Sequence, residues 1–286
     1  MDLKQLVILT LQISIVCTVF GFGLKTTRDD LLYLVRQPGL LARSLIAVFV
    51  IMPVVAVAIS QWFDFPRTVM IALIALSISP TPPLLPSREA KSGGHEPYGL
   101  GLMALLAAMS IVVVPLLEAF LSAFFGRPLG APASKIASIV FTSVLLPLAV
   151  GMVVRALSPA IAARVDNAVA MIVKILMPLG VVVLLVAAAP AMWRLIGGGT
   201  LVAMVLFLAI GFVVGHVMGG PDPDHSVVLA ISTACRHPAI ALSIASANFP
   251  DEQFGAAILL YLLLGVVAGV PYTLWNKRHI TTHVPA

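Results

Sequence analysis

"ISPTPPLLPSREAK", Ile78 to Lys91, interrupts a hydrophobic run that until then, "VMIALIALSI" (Val69–Ile78), reads as a membrane helix nearing completion. Four prolines, Pro80, Pro82, Pro83 and Pro86, fall within seven positions. Proline lacks a backbone donor and clashes with the preceding turn, so no continuous helix passes through this stretch. Lipid offers no replacement hydrogen bonds, and broken backbone at membrane depth survives only against protein or a water-filled cavity. The stretch therefore predicts a deliberately broken helix inside a polytopic membrane protein.

The composition agrees. Hydrophobic residues make up 60% of the 286 positions, charged residues 10%, and the mean hydropathy is +1.08. A soluble domain carries about a quarter charged residues. The two cysteines, Cys17 and Cys235, sit far apart in apolar runs, which excludes a disulfide framework and a CxxC metal site. The net charge of +5 comes from Lys and Arg in short loops between apolar runs, a topological pattern and not a nucleic-acid patch.

Working outward from the break, apolar runs and their punctuation predict nine spans near 5–24, 38–62, 67–86, 97–125, 134–157, 168–190, 198–218, 225–247 and 252–275. The first, "LVILTLQISIVCTVFGFGL", is too long for a signal-peptide core and reads as an uncleaved span. The expected organisation is one transmembrane domain over 1–275, with half-repeats at about 5–125 and 134–275, and a short cytoplasmic tail over 276–286.

A repeat is visible. "LIALSISP" (Leu73–Pro80) resembles "SVVLAIST" (Ser226–Thr233) at an offset of 153, which also pairs Pro97 with Pro250; Pro115 and Pro271 pair at 156. An odd number of spans separates the copies, which inverts one relative to the other. The second copy, "ISTACRHPAIALSIASANFP" (Ile231–Pro250), is also interrupted in mid-span, by Arg236-His237-Pro238. Two interrupted helices in matching halves point to a midplane binding site of a secondary transporter. Freed carbonyls and half-helix N-termini there can hold a solute.

The chain resembles the bile acid:sodium symporter family. The likeness runs from "FGFGLKTTRDDLLYLVRQPGLLARSLIAVFVIMPVVAVAI" through "SISP" to "STACRHPAIALSIASANF" and covers about residues 5–275. It implies a core domain of two crossing broken helices, a panel domain beside it, nine helices in place of ten, and alternating access for organic anions such as bile acids. The departures are informative. Sodium-coupled relatives read roughly Glu-x-Gly-x-Gln-Asn in the second crossing helix, where this chain has Ser232, Arg236 and His237. Their Ser-Asn pair in the first crossing helix falls on Leu85-Pro86. Sodium wants oxygen ligands, whereas the Arg236 guanidinium offers only donors and stays charged. This argues against sodium coupling, and no metal site or cofactor is expected.

The candidate substrate-binding residues are Arg236, His237, Thr233, Ser232, Pro80, Thr81 and Pro83. His237, Glu118 and Lys174 are the candidate coupling groups, with a proton expected in place of sodium. Ionisable residues inside the membrane are functional candidates because each costs roughly 2.5–3.5 kcal/mol at the helix centre. Glu118 lies eight residues from Gly126, roughly 12 Å deep. Lys174 can snorkel to the interface. His216 reads as interfacial, and Arg88, Glu89 and Lys91 as the cytoplasmic mouth of the first crossing helix.

No Ser/His/Asp arrangement, GxGD, HExxH or P-loop is present, so the sequence offers no enzyme motif. Matched broken helices favour an occluding site over a continuous pore. The expected function is secondary active transport of a small organic anion across a plasma or bacterial inner membrane, with lipid as the surrounding partner. A non-transporting sensor or scaffold of the same fold is the alternative, and solute counterflow in proteoliposomes discriminates the two.

Ten Lys and Arg residues lie on one set of loops (Lys25, Arg28, Arg36, Arg43, Arg88, Lys91, Arg155, Arg164, Lys277 and Arg278) and five on the other (Lys4, Arg67, Arg127, Lys135 and Arg194). The richer set belongs in the cytoplasm, which places the N-terminus outside and the C-terminus inside. A Thr282→Cys variant should accordingly label in inside-out vesicles and not in right-side-out ones; the reverse pattern would invert the topology.

Overall fold

With so few polar side chains available, the chain satisfies its backbone within helices, the local solution lipid permits. The computed structural model describes residues 3–63, 65–126, 131–249 and 251–282. Arg127, Pro250 with its pairing to Pro97, and the last four residues lie outside the described residues. The helices are α1 (Leu3–Lys25), α2 (Arg28–Leu32), α3 (Pro38–Ile46), α4 (Met52–Trp62), α5 (Arg67–Ile78), α6 (Leu85–Lys91) and α7 (Glu96–Phe125). Then follow α8 (Ala133–Val140), α9 (Leu146–Leu157), α10 (Pro159–Leu195), α11 (Thr200–Gly219), α12 (Pro223–Ala234), α13 (Pro238–Asn248) and α14 (Gly255–Thr282). No strand occurs among the described residues.

Among the described residues, eight helical stretches are long and apolar enough to cross a membrane. Two of them, α3–α4 and α8–α9, are continuous through a π-helical turn, Ala47–Ile51 and Phe141–Leu145. Each turn ends just before a Met-Pro or Leu-Pro pair, where proline's missing N–H loosens the hydrogen-bond ladder. The ninth expected span, 67–86, is the short α5 with α6 beyond a gap of six residues, Ser79 to Leu84. Two boundaries also need correction. The span expected over 168–190 is part of one 37-residue helix, α10, which keeps Pro178 and Pro190 inside it. The segment expected as a soluble tail from Asn276 continues α14 to Thr282, and Asn276 is buried, its Nδ2 donating to the Ser92 carbonyl at 3.3 Å.

The repeat is clearer in the helices than in the residue match. α5 and α12 are both 12 residues long; their starts, Arg67 and Pro223, and their C-caps, Ser79 and Cys235, are each 156 positions apart. Pro115 and Pro271, inside α7 and α14, share that offset. It sets Pro82 opposite Pro238 and moves the Ile78-Ser79 to Ile231-Ser232 pairing by three residues, close to one helical turn.

The broken helices lie across one another. α5 packs on α13, and α6 packs on α12. The α12–α13 span is the most deeply buried of the eight, while α10, packed on α1, α9 and α14, leaves most of its residues exposed. α12 is held by α11, where Gly211, Gly215 and Gly219 repeat every four residues along the contact. A Cβ at Gly215 would lie 2.3 Å from the Leu229 carbonyl oxygen and 2.5 Å from the Ala230 Cα. Small residues allow this close backbone approach, and van der Waals contact is what joins helices in lipid. Gly215→Ala should therefore destabilise the fold by about 1–3 kcal/mol through overpacking. Unfolding in mixed micelles should show the loss, whereas Gly39→Ala, whose Cβ meets nothing within 4 Å, should be neutral or slightly stabilising; equal behaviour of the two would remove the packing role of α11.

Candidate binding site at the helix crossing

The two breaks repair each other. His237 N–H donates to the Pro80 carbonyl at 2.8 Å, and Arg236 Nη1 donates to the Ser79 carbonyl at 3.2 Å. Both acceptors are groups that the end of α5 leaves without a helical partner. α13 starts immediately after the break with Pro238 in its first turn, a position where a missing N–H does no harm. His237 caps it, Nδ1 accepting from Ile240 N at 3.4 Å. On the other side, Tyr261 of α14 donates its hydroxyl to the Ala234 carbonyl and closes the end of α12.

Around this point lie buried polar atoms that have no protein partner. Arg236 has no exposed surface, and its Nε and Nη2 are unpaired. So are His237 Nε2, Thr81 Oγ1 and Thr233 Oγ1, all on buried residues. No ion pair to Arg236 occurs among the described residues. Because Nδ1 accepts, the neutral imidazole carries its hydrogen on Nε2, an N–H donor. Nε and Nη2 are the two donors on one edge of the guanidinium, the edge that meets a carboxylate through parallel hydrogen bonds. An isolated buried charge is costly unless paired, and this edge has the geometry to pair with an anion.

On the α5–α13 side lies a cavity of about 440 Å³, which Arg236, His237, Thr81 and Thr233 do not line. Its walls include Ile78, the residue before Ser79, with Ala75, Ile244 and Ala245 below a rim carrying Arg67 and Asn248. Glu118 lines it: Oε1 accepts from Ala131 N at 2.9 Å, and Oε2 is buried without a partner. Arg67 is paired with Glu252 at 3.5 Å and lies over the Phe249 ring.

The structure thus gathers Arg236, His237, Pro80, Thr81, Pro83 and Thr233 at or beside the crossing, all buried. Three other expectations fare differently. Ser232 points to the opposite half, donating to Glu89 Oε1 at 2.6 Å. Lys174 is exposed on α10, away from the crossing, as a snorkelling lysine would be. Glu89 does not mark an open mouth: it is 1% exposed. Arg88 beside it is half-buried and donates to the carbonyls of Gly265 and Val266 on α14, at 3.0 and 3.4 Å. His216 is half-buried against Tyr272, Nδ1 to Oη 2.9 Å.

The only grouping of metal-ligand types among the described residues is His95, Asp224 and His225, with one ligand atom from each within 4.8 Å of the others. His225 is already engaged through Nε2 with Tyr33 Oη at 2.7 Å and through Nδ1 with Asp222 at 3.3 Å. Burial holds His95 below the ordinary imidazole range, against the opposing pull of Asp224. This cluster braces the ends of α2, α7 and α12. At the positions where sodium-coupled relatives supply oxygen, Leu85 and Pro86 present buried apolar side chains.

A family model described as the sodium bile acid symporter family matches residues 12–195. The chain belongs to that family. Membership makes it a multi-pass membrane transporter of a family that moves solutes. The matched span contains the first crossing helix and ends before α12, so the reading of the second rests on its own residues and on its packing against the first. A search among curated proteins returns no match.

Proposed function

We propose that the chain carries a small organic anion by alternating access, that Arg236 is the fixed cation which receives the anion's acid group, and that sodium takes no part. The observation that carries this reading is the fully buried guanidinium whose Nε–Nη2 edge has no protein partner. His237 Nε2 and the N-terminal end of α13, with its partial positive charge, favour the same ligand. With the orientation expected from the lysines and arginines, the cavity beside α5 and α13 faces outward and the α6–α12 half is closed. The inner closure consists of Ser232 on Glu89, Tyr33 on His225, Ser44 on Tyr98 at 2.8 Å, and Asn276 on Ser92. This supports an outward-facing state. Sodium is disfavoured by the same guanidinium, which supplies the positive charge a coupling cation would bring.

Carboxylates selected by thermal shift, with a binder raising stability by mass action, supply the ligand for calorimetry. Arg236→Gln should weaken binding by about 2 kcal/mol, roughly thirtyfold. Arg236→Lys should weaken it less, because lysine keeps the charge and loses the fork. A folded Arg236→Gln protein that binds as tightly as wild type would refute the role in recognition. Replacing sodium with potassium or choline at constant pH should leave binding and uptake unchanged; loss of uptake would overturn the sodium-free reading.

A further inference from the structure

The cavity beside α5 and α13 lies apart from the guanidinium edge of Arg236, and its wall describes a different ligand. α5 turns Met70, Ile74 and Ile78 toward it, α7 turns Leu121 and Phe125, and α13 turns Ile244. Met70, Ile74 and Ile78 recur every four residues, and Glu118, Leu121 and Phe125 follow at three and four, the spacing of a single helix face. The volume of about 440 Å³ falls within the roughly 300–1,000 Å³ range of small-molecule pockets. Among the described residues Glu118 is the only acid in that wall, and it is 2% exposed. Its Oε1 accepts from Ala131 N at 2.9 Å, which ties α7 to the segment before α8, while Oε2 is buried with no partner. No ion pair to Glu118 occurs among the described residues. Arg67, the only cation in the wall, is committed elsewhere, paired with Glu252 at 3.5 Å and 5.1 Å from the centre of the Phe249 ring.

A carboxylate with one amide donor among apolar side chains is an unpaired buried charge, and costly as such. A proton on Oε2 would remove the charge and leave the cavity without a use. An organic ammonium uses both features. Its N–H groups donate to Oε2 and bring the opposite charge, while its hydrocarbon part covers the apolar wall. Phe125 adds an aromatic ring, whose face attracts a cation. We propose that this cavity binds an apolar primary amine in its protonated form, with the ammonium on Glu118 and the hydrocarbon body against α5 and α13. An alcohol of the same shape buries the same surface and leaves the carboxylate without a counter-charge. The ligand is opposite in sign to the one that suits Arg236, and the site does not rest on the anion-transport reading.

The experiment is calorimetric titration of the full-length protein in lipid nanodiscs with phenylbutylammonium, and with phenylbutanol as its neutral counterpart. Empty nanodiscs give the partition into lipid, which is subtracted. Wild type should bind the ammonium saturably and about tenfold or more tightly than the alcohol, the scale of a charge-assisted hydrogen bond. Glu118→Gln should lose that preference and bind both probes alike. The glutamine keeps an oxygen for the Ala131 amide, so the variant should fold, which its melting temperature checks. Arg236→Gln should bind the ammonium as wild type does, which separates this site from anion recognition. The comparison of the two probes on wild type needs no variant and decides by itself if a substitution unfolds the protein. Four results overturn the proposal: no saturable heat with the ammonium, equal affinity of wild type for both probes, wild-type selectivity in Glu118→Gln, or lost ammonium binding in a folded Arg236→Gln.

Discussion

The hydrogen bond from His237 N–H to the Pro80 carbonyl is the constraint on which the rest of the architecture depends. Each broken helix leaves donors and acceptors that lipid cannot satisfy, and neither break is tolerable alone. Laid across one another, they complete each other: a carbonyl at the end of α5 takes the amide that precedes α13, and the next carbonyl back takes Arg236. The crossing demands close approach of several helices to one point. The glycine stripe of α11 against α12 and the hydroxyl of Tyr261 on the Ala234 carbonyl both serve that end. The guanidinium that helps close the break therefore also keeps a free edge, Nε and Nη2, without a protein partner.

Much of this was legible from residue types. Prolines set the breaks, and the apolar runs set the number of membrane passes to within one short helix. What misled was similarity judged on common residues. Ile-Ser recurs by chance in so apolar a chain, whereas the starts and C-caps of α5 and α12 mark the same backbone events and fix the offset at 156. The length of α10 was hidden because Arg164 and Asp166 read as loop. In the structure they lie in the helix, and Asp166 pairs with Lys25 of α1 at 2.9 Å.

Arg236 was found because a charge in mid-span is conspicuous. Glu89 was missed because its neighbours, Arg88 and Lys91, advertise a surface. A signal was available in the helical geometry. Residues 88 and 91 are three apart and share a face, while residue 89 is turned about 100° from 88. Adjacency in a charged cluster therefore says little about shared environment. The three side chains do diverge, Arg88 to carbonyls of α14, Lys91 outward, and Glu89 into the contact with α12.

That divergence bears on how a transporter without the usual acid on its second crossing helix can still hold one. The resemblance places a glutamate of the sodium-coupled relatives at position 232, on α12 itself. Here position 232 is serine, and an acid arrives at the same point from α6. With the acid on α6 and its donor on α12, the hydrogen bond from Ser232 to Glu89 joins the two broken helices on one half of the crossing. The bonds from Arg236 and the His237 amide to the Ser79 and Pro80 carbonyls join them at the breaks. An acid on α12 itself could not make that first connection, so its place on α6 ties the two helices together beside the permanent charge of Arg236.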